Sequence, residues 1–251
     1  MVPPFSKPHI EVSPKRVRVL YSRQWIVDTK EAKLVRWEHQ YYPTYFFEGN
    51  DVPQKYLRQS TTSVNDNENT KLYDVVVGEN VAKAAAVKYG QTAGDLSGLI
   101  KIVFGAMSAW FEEDEEVFVH PKDPYKRVDV LQSSRHVRIE VNGVEIANTR
   151  KPRLLFETGL PVRTYIPKTD CRMDLLEPSN LSTECPYKGV ASYYSIRLPD
   201  DGNHVFENIV WWYRTPLADC IDIKGFVAFY DEKVDVWVDG DKKERPHLPV
   251  S

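Results

Sequence analysis

Hydrophobic and polar residues alternate with a period of two over several parts of the chain. Val137, Ile139 and Val141 alternate with polar residues and lead into Asn142-Gly143, after which a second alternating run begins. Because Asn and Gly both tolerate positive φ, this dipeptide favours a two-residue type I′ turn between antiparallel strands. Similar alternation predicts further strands at residues 73–77, 194–198 and 234–238.

The two halves of the chain repeat this pattern in the same order. Matches that keep their order along both halves indicate a tandem duplication. Ser22-Arg23 replaces the Asn-Gly dipeptide in the first copy, so we expect another turn or a β-bulge there. The aligned pairs are residues 16–19 with 136–139, Thr44-Tyr45 with Thr164-Tyr165, residues 72–75 with 193–196, and Trp110 with Trp237.

Helical patterning is weak by comparison, and we predict short helices only at residues 81–88 and 106–116. The expected fold is therefore mainly β, with two tandem copies of a compact β-sheet domain and few short helices. We expect an N-terminal extension at residues 1–14, a first repeat domain with its linker at 15–127, and a second repeat domain at 128–251.

The junction between the copies combines an acidic run at residues 112–116 with a proline-containing segment at 120–127. One interpretation is a solvated acidic turn followed by a stiff linker. The other is a clasp in which acidic and basic side chains pair across the domain boundary. Exposed pairs of this kind contribute roughly 0–1 kcal/mol each, so a clasp would set geometry more than stability.

The composition excludes several classes of partner. A net charge of −3 provides no basic field for phosphate backbones, so we expect no nucleic-acid partner. No apolar run reaches the roughly 18 residues that span a bilayer, and the first residues lack the apolar core of a signal peptide. We therefore expect a cytoplasmic protein with no membrane partner. The oligomeric state is left open.

The cysteines and histidines do not have metal-binding spacing. The three cysteines, Cys171, Cys185 and Cys220, all lie in the second half and form no Cys-x-x-Cys pair. The histidines show no His-x-x-x-His spacing. We expect no disulfide framework, no metal and no cofactor.

Several motifs together resemble the tandem form of the family called domain of unknown function 427. They are residues 109–115, the His-Pro-Lys-Asp-Pro-Tyr of residues 120–125, residues 133–137, and Cys-Pro-Tyr-Lys-Gly at 185–189 with residues 191–194. The resemblance covers nearly the whole chain. It implies a mainly β, tent-like domain in which sheets meet at an angle over an aromatic-lined cleft. The family also has a nucleotidyltransferase-like label, but this chain has no Gly-x-x-x-x-Gly-Lys-Ser/Thr phosphate loop.

Candidate chemistry lies in the second copy, where a thiol, an ammonium, an arginine and carboxylates fall within about twenty residues. In the first copy the corresponding residues 60–70 form a polar loop without cysteine or aromatic residues. Such a cluster suits thiol or acid/base chemistry with anion binding. The predicted catalytic residues are Cys185, Lys188 and Tyr187, and the predicted ligand-binding residues are Arg172, Glu177, Tyr194 and Trp212.

Each of these residues also has a structural interpretation. Cys185 can be a small buried residue, Lys188 a solvated ammonium on a packed stem, and Arg172 a partner of Glu177 or Asp174. In the run Trp211-Trp212, alternate residues of a strand face opposite sides, so one of the two faces a cleft, another domain or solvent.

Two functions remain open. In the first, the second repeat binds a small aromatic or carbonyl-bearing metabolite in a cleft. A cofactor-independent isomerase, lyase or hydrolase activity would accompany that binding if the protein is an enzyme. In the second, the protein is a ligand-binding or protein-interaction module without turnover.

Overall fold

The structure, a computed structural model, describes residues 7–37, 42–61, 69–199 and 204–246. The chain divides between Asp123 and Pro124 into two compact units, called here the first and the second unit. In the first unit the strands are β1 (His9–Val12), β2 (Val17–Tyr21), β3 (Gln24–Thr29), β4 (Lys33–Arg36), β5 (Thr44–Phe47), β6 (Leu57–Gln59), β7 (Thr70–Val77), β8 (Asn80–Tyr89), β9 (Ile100–Ile102), β10 (Ala109–Glu112) and β11 (Glu115–Val117).

The second unit is built in the same way. Its strands are β12 (Val128–Gln132), β13 (Val137–Val141), β14 (Val144–Thr149), β15 (Arg153–Glu157), β16 (Arg163–Pro167), β17 (Leu176–Cys185), β18 (Gly189–Arg197), β19 (Val205–Tyr213), β20 (Phe226–Phe229), β21 (Asp235–Val238) and β22 (Asp241–Lys242). The helices of the described residues are short 3-10 helices: η1 (Gln54–Tyr56), η2 (Gly94–Leu96), η3 (Phe104–Ala106), η4 (Lys168–Asp170), η5 (Met173–Leu175) and η6 (Ala218–Ile223).

Each unit contains one seven-stranded and one four-stranded antiparallel sheet. The large sheets have the orders β1-β4-β5-β9-β8-β7-β6 and β12-β15-β16-β20-β19-β18-β17. The small sheets have the orders β11-β10-β2-β3 and β14-β13-β21-β22. The two units match strand for strand. The predicted mainly β fold with two tandem copies is therefore confirmed.

The strand pairings show that Trp237 corresponds to Phe111 in the first copy. β2 and β13 keep the 120-residue offset in their pairing with β3 and β14. On their other sides, Arg18 pairs with Phe111 and Arg138 pairs with Trp237. The predicted alignment of Trp110 with Trp237 is therefore wrong by one residue. The arginine in each pair also lies over its aromatic ring, at 5.5 Å for Phe111 and 4.8 Å for Trp237.

The alignment of Tyr45 with Tyr165 is also wrong by one residue. The connection from β4 to β5 is one residue longer than the connection from β15 to β16. Phe46 is therefore the residue equivalent to Tyr165. The pairings that show this are Val35 with Thr44 and Leu155 with Arg163.

Each unit has a main core that contains residues from both of its sheets. In the second unit this core includes Val137 and Ile139 of the small sheet and Val210 and Phe229 of the large sheet. A second apolar cluster lies on the opposite face of each large sheet. In the second unit that cluster is covered by η6, through Cys220 and other buried residues.

The predicted hairpin at Asn142-Gly143 is confirmed, and both residues have positive φ, 47° and 77°. Ser22 and Arg23 also have positive φ, 47° and 66°. The first copy therefore uses the same two-residue turn with less suitable residues. Both hairpins also have a register shift, between Val19 and Leu20 in the first copy and between Ile139 and Glu140 in the second. The β-bulge, one of the two alternatives expected for the first copy, is therefore present in both.

Both predicted helices are wrong. Residues 81–88 lie within β8, which pairs with β7 and β9, and residues 106–116 include β10 and part of β11. The Ala-rich sequence of β8 favours a helix, but pairing on both sides of the strand outweighs this local preference. Residues 1–14 are not simply an extension, because β1 (His9–Val12) pairs with β4.

The acidic run at residues 112–116 forms its described ion pairs within the first unit. Lys15 Nζ hydrogen-bonds to Glu112, and Arg18 Nη2 lies 2.7 Å from Asp114 Oδ1. Both basic residues precede or lie in β2, the neighbour of β10. These contacts support the interpretation of the run as a turn of the first repeat.

Candidate functional site

One face of the large sheet in the second unit carries a cavity of about 180 Å³. Residues two apart on a strand point to the same face, which explains how single strands contribute pairs of lining residues. These pairs are Leu155 and Glu157 from β15, Arg163 and Tyr165 from β16, and Trp211 and Tyr213 from β19.

Lys188, on the turn between β17 and β18, forms a buried ion pair in this cavity. Its Nζ hydrogen-bonds to the carboxylate of Glu157, and the two residues are only 9% and 8% exposed. The other oxygen of Glu157 lies 3.5 Å from Lys126 Nζ. Because charges are costly to bury without partners, the carboxylate between two ammonium groups offsets the desolvation of both.

The backbone of the turn fixes the position of Lys188. Gly189 has φ +98°, a conformation that favours glycine, and a Cβ there would lie 3.3 Å from the carbonyl oxygen of Thr215. The amide of Leu217 donates to the carbonyl of Lys188 at 3.1 Å. The close approach of these two segments therefore holds the ammonium at the cavity.

Aromatic side chains form much of the cavity wall. Trp211 Nε1 donates to the hydroxyl of Tyr165 at 3.1 Å, and the rings of Trp211 and Tyr230 lie 4.7 Å apart. Burial raises the pKa of Tyr165 and Tyr213 well above the ordinary range, and raises the pKa of Tyr230 to about 12. All three phenols are therefore neutral near pH 7 and act as hydrogen-bonding groups rather than as anions.

Arg163 lies at the edge of the cavity with two acidic neighbours. It donates twice to Glu232, at 3.0 and 2.7 Å, and lies 3.8 Å from Asp231. Burial opposes the charge of Arg163, but the pair with Glu232 outweighs burial and raises the pKa of Arg163. Burial raises the pKa of Asp231 to about 6 despite the nearby guanidinium.

Two of the three cysteines are excluded as nucleophiles by burial. Burial raises the pKa of Cys171 to about 12 and that of Cys220 to about 11, so both remain neutral thiols near pH 7. Cys185 is half-buried, and its Sγ lies 4.0 Å from Lys188 Nζ. The structure therefore brings together two of the predicted catalytic residues, Cys185 and Lys188.

The third predicted catalytic residue, Tyr187, is buried beside them. Its ring lies 5.7 Å from Lys126 Nζ, the second cation on Glu157. Among the described residues, the cavity lining includes its neighbour Lys188 but not Tyr187. Its position beside Lys126 suits a structural role next to the ion pair.

Arg172 and Glu177 are not brought to the cavity. Arg172 forms an exposed ion pair with Asp174 at 2.6 Å, and Arg197 donates a hydrogen bond to Glu177 at 3.0 Å. The pair of Arg172 with Asp174 is the structural alternative for Arg172 that the sequence analysis left open. Arg172 and Glu177, which were predicted to bind the ligand, therefore do not line the cavity that Lys188 lines.

Tyr194 and Trp212 lie on the opposite face of the sheet. Their rings stack at 5.9 Å, and Lys168 Nζ lies 3.2 Å from the centre of the Trp212 ring. Both aromatic residues pack against the main core. Of the Trp211-Trp212 pair, Trp211 is the one that lines the cavity.

Sequence reasoning missed most of the lining residues. Glu157 precedes Lys188 by 31 residues, so no local motif connects them. In the sequence analysis, Tyr165 was used only to align the two repeats. Strict alternation along β19 could have grouped Trp211 with Tyr213, since the two are separated by one residue.

Among the described residues, the first unit lacks this set of polar groups at the positions that can be compared. Of the residues compared, only Tyr213 keeps its residue type, as Tyr89. The other equivalents, deduced from strand pairing, are Trp37 for Glu157, Thr44 for Arg163, Phe46 for Tyr165 and Val87 for Trp211.

The described residues contain no group of three or more His, Cys, Asp or Glu side chains placed to hold a metal ion. In the same part of the chain, no helix is long and apolar enough to cross a membrane.

A protein-family model described as "Domain of unknown function (DUF427)" matches residues 9–113 and 129–240. The model therefore matches the chain twice, once in each unit. Its short name carries the same nucleotidyltransferase label as the family that the chain resembles. Comparison with curated proteins gave no match.

Proposed function

The chain belongs to the family described as domain of unknown function 427, and because this description names no activity, we propose a function from the cavity of the second unit. The proposed function is binding of a small aromatic or carbonyl-bearing organic molecule. The buried pair of Lys188 and Glu157 beside an aromatic wall carries the proposal. An aromatic cavity with a few fixed polar groups is typical of small-molecule sites.

The size of the cavity favours a ligand with a single ring. Its volume of about 180 Å³ is close to the roughly 150 Å³ of an apolar cavity that admits benzene. Trp211 and Tyr230 offer ring faces to such a ligand. Lys188 has three N–H donors and directs two of them to Glu157 and Cys185, so the third can donate to a ligand carbonyl.

The same geometry supports chemistry at a bound carbonyl. Lys188 would polarise the carbonyl oxygen. Cys185 is not among the described lining residues, but its thiol lies 4.0 Å from the ammonium and would supply a nucleophile. If turnover occurs, an isomerase, lyase or hydrolase reaction without a metal or a cofactor suits these groups. Binding without turnover is the alternative function of the same site.

We also propose that the protein acts in the cytoplasm without a nucleic-acid partner. Its three cysteines are free thiols, as expected in a reducing compartment. The net charge of −3 does not favour binding to phosphate backbones. Cell fractionation together with a nucleic-acid retention assay would test both statements.

The binding proposal is tested with benzamide, which has a ring and a carbonyl, and ethylbenzene, which has a ring alone. Ligand-observed NMR titrations would measure both affinities for the full chain. We expect Lys188→Met to weaken benzamide binding about tenfold, the equivalent of one hydrogen bond to a charged group, while ethylbenzene binding is unchanged. Lys168→Met is the matched control, because Lys168 contacts Trp212 on the opposite face.

Stability is measured alongside binding because Lys188 is buried. Removing it leaves Glu157 with Lys126 alone, so a loss of stability is expected, unlike that of a typical surface substitution. The double variant Lys188→Met with Glu157→Gln removes both buried charges and separates folding from binding. The proposal is refuted if both variants, when folded, bind benzamide as tightly as the original chain does.

A further inference from the structure

Lys101 in the first unit is a lysine in an apolar setting. It lies in the middle of β9, where Ile100 and Ile102 point into the main core and Lys101 points to the other face. Its neighbours in the ladder are Phe46 on β5 and Val87 on β8. Neither neighbour carries a negative charge that could offset an ammonium group.

Among the described residues, no carboxylate offsets the charge of Lys101. Its Nζ forms neither a hydrogen bond nor an ion pair with any of them. Burial alone lowers the pKa of Lys101 below its ordinary value. An isolated ammonium in such a place is unfavourable, so a larger fraction of Lys101 is the neutral amine near pH 7.

The second unit shows that the fold does not need a lysine here. Lys101 pairs with Val87, and the equivalent strand pair is Ala228 with Trp211. Ala228 is completely buried. The first copy therefore carries a costly lysine at a position where the other copy has a small apolar residue, which indicates a functional reason for it.

Lys101 lines a cavity of about 380 Å³. One part of the lining is formed by Tyr42 and His120, whose rings stack at 3.9 Å, and another by Phe104. His120 Nδ1 lies 2.7 Å from the carbonyl of Pro121, which requires the proton on Nδ1. A nucleophilic amine and an aromatic wall therefore face the same space.

We propose that the first unit has its own site, in which the Lys101 amine forms an imine with a small aromatic aldehyde. The nitrogen lone pair attacks the carbonyl carbon, and the N–C bond forms as the carbonyl oxygen takes up a proton. The nitrogen loses one proton to give the carbinolamine. The hydroxyl group then takes up a second proton and leaves as water as the C–O bond breaks and the C=N bond forms, and the nitrogen loses its second proton. One amine and one aldehyde thus give one imine and one water, with no oxidant or reductant.

Benzaldehyde with cyanoborohydride tests this site in the full chain at pH 7. The hydride reduces any imine to a stable amine, and peptide mass spectrometry then quantifies the label at each lysine. We expect Lys101 to react severalfold faster than the exposed Lys71 and Lys83 of β7 and β8, because burial favours its neutral amine and the cavity holds the aldehyde beside it. The Lys101 rate should also saturate as the benzaldehyde concentration rises, because the aldehyde binds before it reacts.

Two variants keep the outcome interpretable. Lys101→Met should abolish the fast label without unfolding the protein, since its neighbours are apolar and the second copy has Ala228 at this position. Lys188→Met should leave the Lys101 label unchanged, so this test is independent of the second-unit cavity. Equal labelling of Lys101, Lys71 and Lys83 would overturn the proposal, and so would a Lys101 rate that stays linear in benzaldehyde.

Discussion

Asp231 and Arg163 illustrate how burial and charge together determine the state of single residues beside the second-unit cavity. Arg163 stays charged because Glu232 receives two of its hydrogen bonds. Asp231 lies 3.8 Å from the same guanidinium but is more strongly affected by burial, which raises its pKa to about 6. The folded protein therefore holds a proton on Asp231 more tightly than the unfolded chain does.

This difference predicts a pH-dependent loss of stability. Between the ordinary aspartate pKa of about 4 and the folded value of about 6, only the folded state keeps the proton, so the free energy of unfolding falls as pH rises. Asp231→Asn cannot titrate and should lack this fall, which we expect to be roughly 1–3 kcal/mol. Urea unfolding at pH 4, 5, 6 and 7 would measure it. Asp241→Asn, on an exposed residue, is the control, and parallel curves for the original chain and Asp231→Asn would contradict the prediction.

Among the secondary-structure elements, hairpins were the most predictable from sequence, and faces of strands the least. Alternation and Asn142-Gly143 sufficed for β13 and β14, because turn chemistry and side-chain period gave the same answer. The face of a residue in β18 or β19 depends on a register shift between Tyr194 and Ile196. Alternation separates Trp211 from Trp212, but it does not indicate which of the two faces the cavity, because apolar clusters cover both faces of this sheet.

The two hairpin turns predict a stabilising substitution. Ser22 and Arg23 adopt positive φ, which costs roughly 1 kcal/mol for a residue with a Cβ. Replacing them by Asn-Gly, the sequence of the equivalent turn in the second unit, should raise the free energy of unfolding by about 0.5–1 kcal/mol. Chemical denaturation would measure the change. The reciprocal substitution Gly143→Ala should destabilise the protein, and a stable Gly143→Ala variant would argue against strain in either turn.

For the whole molecule, the duplication was readable from sequence because order and spacing repeat over long distances. The site was not, because Glu157 and Lys188 come from a strand and a turn that are distant in sequence. Each unit also has its own cores and its own pair of sheets. The domain boundaries remain a prediction, although the division between Asp123 and Pro124 lies close to the expected start of the second repeat.

We therefore predict that residues 124–251 fold alone. Two sheets with a separate apolar core are the usual requirement for an independent domain. The isolated segment should unfold cooperatively and bind benzamide with an affinity within about threefold of that of the full chain, since the lining residues belong to this unit. Circular dichroism melting and the same NMR titration would test it. A segment that folds but does not bind would place part of the site outside residues 124–251.

The strand-for-strand match between the units has a consequence for protein engineering. Each ladder position that the two units share has been filled twice on the same backbone topology, so each copy shows which substitutions the other can accept. Phe46 shows that the sheet accepts a phenylalanine where Tyr165 stands, and Val87 shows that it accepts a valine where Trp211 stands. A library restricted to such exchanges within the chain would vary the chemistry of each unit while drawing only on side chains that this fold already carries.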